Sequence, residues 1–317
     1  MDTFTPQFSF TVIYGALSFA VYILTVVIIQ SDKTTFSGSF FFLFKANFFY
    51  NLLTFSNSFV SLRVPQNTCY NCSLAPFFHS LGNDSTSSFP LHIFYGIQLT
   101  MVFPQYSMNL LISLNRFTMF FWLNRNDKNW KLICPFALIL ITFLPFVETY
   151  GMFLDRSYFV YGPTVGGFIC FSRFEIQGIL STAIGFMTLS TALSAFLNIS
   201  SLVFLSKMGE KIKKVDRTLL YVSLISFFVE LFCLVETLLV KFHKEIPLWL
   251  AAAAIWIIPY SSDLLTMSQP WVLIMFSSAM QEKLKRLFGC GDSPKPRIVS
   301  VSSRQSALSV TAAAPSF

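Results

Sequence analysis

The chain has 317 residues, of which 54% are hydrophobic and only 12% charged, with a formal charge of +7 and a mean hydropathy of +0.62. Soluble globular chains carry about 25% charged residues, so the composition excludes a water-soluble domain and leaves a polytopic membrane protein. Lengths beyond the apolar runs are too short for a typical independent domain, which places any chemistry within or between helices.

Seven apolar runs, taken in chain order, predict membrane-spanning helices over residues 10–30, 40–61, 93–123, 132–154, 178–206, 218–240 and 248–279. Each is long enough to cross about 30 Å of hydrocarbon as a helix. None shows the alternation over about ten residues that marks a barrel strand. The expected fold is an all-α seven-transmembrane bundle over residues 1–289, followed by a disordered cytoplasmic tail, 290–317. No basic segment precedes the first run and Asp2 is the charge nearest the start, so that run is expected to be a retained signal-anchor.

Lys and Arg segregate between alternate connections. Fifteen fall in 31–39, 124–131, 207–217 and 280–317, against five in 62–92, 155–177 and 241–247. Basic residues collect on the cytoplasmic side, which predicts the N-terminus outside and the C-terminus inside. The positive charge then follows from topology, and no nucleic-acid partner is needed. Asn71-Cys72-Ser73 and Asn83-Asp84-Ser85 both read as glycosylation acceptor triplets in the outer connection 62–92. Asn198-Ile199-Ser200 has the same form but lies inside the fifth run, where no glycan is expected.

The third run holds Gln98, Gln105, Asn109 and Arg116, which at about 100° per residue fall within about 40° of one another. A polar stripe of this kind faces other helices or a water-filled cavity. It serves either as interhelical glue or, in its outer half, as part of a ligand pocket built from Gln98 and Gln105. Arg116, in Ser113-Leu114-Asn115-Arg116-Phe117-Thr118, either acts at the inner end of the helix or extends its charged tip to the interface. The seventh run contains Pro259 and Pro270, which permit kinks, with Asp263 between them. Other ionisable residues within runs are Lys45, Glu148, Glu230 and Glu236. Lys45, the basic residue deep in a run, is a candidate partner for Asp263, though one sequence does not fix helix contacts, and Glu148 and Glu236 are further candidates for the ligand pocket. Cys134 and Cys233 are expected to be packing residues. Beyond the seventh run, Met280–Phe288 interleaves Leu284, Leu287 and Phe288 with Lys283, Lys285 and Arg286. That pattern predicts a short interfacial helix, ended by Gly289 and followed by Cys290 as a palmitoylation candidate.

Together, the Ser113–Thr118 string, the Pro259–Trp271 string and the seven-run layout resemble the nematode serpentine receptor class gamma chemoreceptors, a branch of the G-protein-coupled receptor superfamily. The resemblance implies a chemosensory receptor in the plasma membrane or the ciliary membrane of sensory neurons. It would bind a small extracellular chemical and activate a heterotrimeric G protein. Asn115, Arg116 and Phe117 would stand where rhodopsin-like receptors carry an acidic-Arg-aromatic triplet, so the acid is missing here. Lys211, Lys213 and Lys214 are further candidates for G-protein contact, and Asp263, Pro259 and Pro270 for the activation switch. No cysteine opens the third run, so the superfamily's usual bridge to the following loop is unavailable. Cys170 can pair with Cys69 or Cys72, or those two with each other. A bridge through Cys170 is the expected one, because it would restrain the long connection 62–92.

Rival classes carry less. His79, His92 and His243 show no metal-ligand spacing, and no Gly-rich phosphate loop is present, so neither an enzyme nor a cofactor is expected. A seven-span transporter built from parallel repeats should show internal similarity, and neither the Arg116 nor the Pro259–Trp271 pattern recurs. A ligand-gated channel with its N-terminus inside contradicts the segregation of charge.

Overall fold

The computed structural model describes residues 6–83, 88–121, 126–163, 166–208 and 214–289. Lys211, Lys213, Cys290 and the tail 290–317 lie outside the described residues. The first apolar run folds as α1 (Pro6–Ser31) and the second as α2 (Ser39–Ser58). Helix α2 continues without a loop into a π-helical turn (Phe59–Arg63) and the short α3 (Val64–Gln66). Pro65 is tolerated there because the first turn of a helix has no use for its missing N–H.

The short α4 (Ala75–Ser80) precedes the third run, which forms two helices, α5 (Leu91–Thr100) and α6 (Val102–Phe121). Pro104 explains the break at Met101. It has no N–H to offer the Thr100 carbonyl, and its ring crowds that carbonyl. Four long helices follow in turn: α7 (Asn126–Leu154), α8 (Gln177–Met208), α9 (Lys214–Lys241) and α10 (Leu248–Phe276). Helix α10 runs unbroken through Pro259 and Pro270. The chain turns at Ser277, whose hydroxyl caps α11 (Ser278–Leu287) by accepting from the Met280 N–H.

Among the described residues, five helices are long and apolar enough to cross a membrane: α1, α7, α8, α9 and α10. Their outer faces confirm the solvent. On α7, Leu132, Phe136, Phe143, Leu144, Val147 and Leu154 are all exposed, an apolar face that no water-soluble monomer presents. Polar residues dilute α2, and the Met101 break shortens α5 and α6. In the bundle α6 packs on α8, α9 along α10, and α2 between α6 and α10. A Phe-rich core joins α1, α2, α6 and α10 around Tyr22, Phe40, Phe44, Met108 and Leu273.

The architecture is mostly helical, as expected, with one β element added. Between α7 and α8 the chain forms an antiparallel hairpin, β1 (Ser157–Gly162) and β2 (Gly167–Ser172), with Phe159 opposite Cys170 and Tyr161 opposite Phe168. Side chains alternate across a strand. Phe159, Phe168 and Cys170 point inward and pack with Phe78, Leu81 and Leu91, while Val160 and Phe171 are exposed. The strand signal is only six residues long and aromatic, easily lost between two long apolar runs. The hairpin lies so close to the end of α3 that a Cβ on Gly167 would fall 2.1 Å from the Gln66 carbonyl oxygen. Only glycine fits.

The disulfide expectation is corrected. Cys69 and Cys72 are bonded to each other, and Cys170 is a free, buried thiol in the hairpin core. The turn after α3 brings the two close, since the Cys72 N–H bonds back to the Cys69 carbonyl. Burial pushes the Cys170 thiol well above its ordinary range, leaving little of the thiolate that disulfide exchange requires. Non-reducing peptide mapping should therefore recover Cys69 linked to Cys72. Cys170 should react with a maleimide only after denaturation. A Cys170 peptide linked to either partner would refute this arrangement.

Candidate functional site

A buried charge in a bilayer is expensive unless partnered, and Asp263 on α10 has a partner. Its carboxylate accepts from the Arg63 guanidinium at the end of the π turn and from the Tyr14 hydroxyl of α1. Arg63 is 1% exposed. It also donates to the Phe55 carbonyl and the Ser58 hydroxyl, and lies 4.7 and 4.9 Å from the centroids of the Phe55 and Phe59 rings. Three helices thus meet on one ion pair. The candidate Lys45–Asp263 pair does not form. Lys45 donates instead to Gln30 at 3.1 Å, because its place near the start of α2 puts it on a different level of the bundle.

The polar stripe of the third run divides its work. Gln98 Oε1 accepts from Asn57 and Ser61 of the α2 segment at 3.3 and 3.2 Å. Asn109 accepts from Gln269 of α10 at 2.7 Å, and Gln269 accepts from Asn47 of α2 at 2.8 Å. These are interhelical glue. At the inner end of the stripe, Arg116 is 4% exposed. It does not reach toward an interface but donates to Asn115 Oδ1 at 2.6 Å and covers the Phe40 ring at 4.7 Å. Asn115 in turn donates to Ser39 at 2.8 Å.

Gln105 faces elsewhere, into a cavity of about 350 Å³ bounded by α5, α6, α8, α9 and α10. This lies at the lower end of the range for small-molecule sites, about 300–1,000 Å³. Its walls are mainly apolar, with Val102, Leu180, Ala183, Met187 and Leu265, and its polar groups include Gln98, Gln105, Glu236 and Ser261. Glu236 Oε2 accepts from the Ser261 hydroxyl at 3.1 Å. Glu236 Oε1 and Gln105 Nε2 have no hydrogen-bond partner among the described residues, although the two side chains are only 7% and 6% exposed. The structure therefore brings Gln98, Gln105 and Glu236 to one wall system. Glu148 does not join them: it is exposed on α7 and lines no part of the cavity.

A small, mainly apolar cavity with a few convergent polar groups has the character of a small-molecule site. The profile of the Srg chemoreceptor family matches residues 8–284. The chain belongs to the Srg family of chemoreceptors. It is 30% identical over 281 residues to serpentine receptor class gamma-31 of Caenorhabditis elegans, covering 87% of this chain and 90% of that one. It is 23% identical over 203 residues to serpentine receptor class gamma-2 of the same organism, covering 62% and 59% respectively.

In this Srg chemoreceptor the residue that sequence reasoning missed is Arg63. It reads as the one basic residue of an outer connection, because Pro65 follows and the apolar run fades at Ser61. The signal was present in the spacing Phe55, Phe59, Arg63, which puts two rings and a guanidinium on one helical face. Lys214 opens α9, so of the three lysine candidates it alone falls within the described residues.

Removing one partner of a buried pair costs about 3–5 kcal/mol, because the other charge is left uncompensated. Arg63→Met should therefore lower the melting temperature of the purified receptor sharply, and Arg63→Met with Asp263→Leu should recover most of the loss. Lys45→Met should add to Asp263→Asn without coupling, whereas Arg63→Met should couple to it strongly. A thermal-shift double-mutant cycle reads both. Coupling through Lys45 rather than Arg63 would overturn the assignment.

Proposed function

We propose that the protein is a G-protein-coupled chemosensory receptor whose small-molecule ligand occupies the cavity between α5, α6, α8, α9 and α10. The supporting observation is the pair of unpartnered, buried polar atoms, Glu236 Oε1 and Gln105 Nε2, in otherwise apolar walls. Seven spans are formed by α1, α2, the broken α5–α6 pair, α7, α8, α9 and α10. The hairpin end faces outward, and the end carrying α11 faces the cytoplasm. With Arg63 inside the bundle, the opposite connections hold only four basic residues against fifteen, which strengthens that orientation. The protein resides in the plasma membrane or a ciliary membrane.

Ligand binding shifts a population between two bundle conformers. The cavity touches α10 at Ser261 and Ser262, one residue from Asp263, so a ligand that moves this stretch bears directly on the Arg63–Asp263–Tyr14 contact. Pro259 and Pro270 lie on either side of that stretch and make α10 the switch element. At the other end, release of Arg116 from Asn115 and Phe40 exposes a site for the G-protein α subunit that includes Phe117, with Lys211, Lys213 and Lys214 as further candidates for that contact.

Arg116→Ala should abolish the second-messenger response in transfected cells while leaving surface expression near normal. If Arg116→Ala and Arg116→Lys both signal like wild type, the coupling role fails. Topology has its own measurement. Asn71 and Asn83 are exposed, whereas Asn198 is buried and bonded to Ser113 and Ser223 at 3.2 and 2.9 Å. Changing Asn71 and Asn83 together to Gln should remove the glycan-dependent gel shift, and Asn198→Gln should not. A C-terminal epitope that stains on intact cells would reverse the orientation and refute cytoplasmic coupling.

A further inference from the structure

The cavity's charge is unbalanced in a way that points to the class of ligand. Glu236 is the ionisable carboxylic acid in the wall, and the lining residues include no Lys, Arg or His. The neighbouring acid, Asp263, is already matched by Arg63. Glu230 lies deeper, fully buried beside Asn109 and Ser194, and is not part of the lining. One oxygen of Glu236 is occupied by Ser261 and the other is not. A buried carboxylate is stabilised by a cation that also donates a hydrogen bond, and such charge-assisted bonds are roughly twice as strong as neutral ones.

We propose that the ligand is a protonated organic amine with a largely apolar body. The ammonium donates to Glu236 Oε1, and an oxygen of the ligand accepts from Gln105 Nε2. The inference rests on the cavity being the receptor's ligand site. Leu180, Ala183, Met187, Val102 and Leu265 take the body, and the volume of about 350 Å³ fits one aromatic ring or a short alkyl chain. A carboxylate ligand would meet a like charge with no basic group to offset it. A neutral alcohol would fill the walls but bring no cation to the Glu236 carboxyl.

The test uses purified full-length receptor in lipid nanodiscs, with affinity read from ligand-dependent rises in melting temperature. The probes are para-methoxyphenethylamine, the matching alcohol and the matching propionate, alongside octylamine, octanol and octanoate. On the wild type each amine should bind at least tenfold more tightly than its alcohol, equal to about 1.4 kcal/mol, and the acids should not bind. Glu236→Gln should erase the preference for amine over alcohol, while Glu236→Asp should keep it. Gln105→Leu should weaken the methoxy-bearing amine more than octylamine, which has no oxygen for the amide. Alcohols or acids that match the amines on wild type would overturn the proposal. So would a preference that survives Glu236→Gln, or amines that produce no shift at all. Ala183→Trp, which fills the cavity, separates the two readings. If only alcohols or acids bind and Ala183→Trp removes that binding, the amine class falls and the cavity stands. If amine binding survives Ala183→Trp, the cavity itself is refuted.

Discussion

The Arg63–Asp263 ion pair sets the arrangement of the helices around it. A guanidinium in hydrocarbon must find acceptors for its donors, and here it finds a carboxylate, a carbonyl and a hydroxyl while two phenyl faces cover it. Helix α2 is extended and re-aimed by the π turn to bring Arg63 inward, the Val64 N–H reaching back five residues to the Phe59 carbonyl. Such turns insert one residue into a helix and occur disproportionately at functional positions. Tyr14 adds α1 to the same carboxylate. Without the pair, α1, α2 and α10 would have no charged contact in common in that half of the bundle.

Neutral hydrogen bonds between different helices also tie the bundle together. Asn47, Gln269 and Asn109 join α2, α10 and α6, and Ser113, Asn198 and Ser223 join α6, α8 and α9. In lipid the hydrophobic effect does not drive helices together, and bonds of this kind contribute about 0.6–2 kcal/mol each. The short α11 is held differently, by Lys283 on Asp32 at 2.5 Å and by the buried Met280. The Asp32 carboxyl is held well below the usual range by Lys283, then by Thr34 and Thr35. Stability from its lowered value is present above the ordinary carboxylate range and is lost only as pH falls through the lowered one. The link therefore persists at any physiological pH.

Long apolar runs gave helix positions directly, since α1, α8, α9 and α10 begin and end within a few residues of the runs that predict them. Periodicity also placed Gln105, Asn109 and Arg116 on the inward face of α6, where all three are buried. It could not tell glue from ligand contact, because both demand an inward polar residue. Partners lay beyond reach for a plainer reason. Lys45 and Arg63 are equally basic and equally near helix ends in a linear reading, and only the packing of α2 against α10 decides which meets Asp263. The hairpin escaped because its strands are only six residues long and fall wholly within the connection 155–177. Glu148 and Glu236 read alike as acids near an outer end, yet α7 turns one to the exposed face and α9 turns the other inward.

The two sites lie two residues apart on α10. Ser261 donates to Glu236 and Asp263 accepts from Arg63, so two residues of one helix carry contacts to the cavity on one side and to the α2 segment on the other. Moving a two-state bundle from mostly resting to mostly active takes about 5.5 kcal/mol of differential binding. For the proposed amine, a charge-assisted bond at Glu236 would supply about 1.5–3 kcal/mol and a neutral one at Gln105 about 1 kcal/mol. Burying a small apolar body adds roughly 1.5–3 kcal/mol more. The sum reaches the requirement only if nearly all of it is realised in one conformer. A ligand bonded equally well in both conformers would bind tightly and signal nothing. Differential contact is most easily obtained where the wall itself moves, and Ser261, with Ile258, Ser262 and Leu265, lines the cavity from the helix that carries Asp263. On the proposed reading, the Glu236–Ser261 bond is the contact whose geometry would differ between resting and active bundles, and the ion pair at Asp263 would limit how far α10 moves.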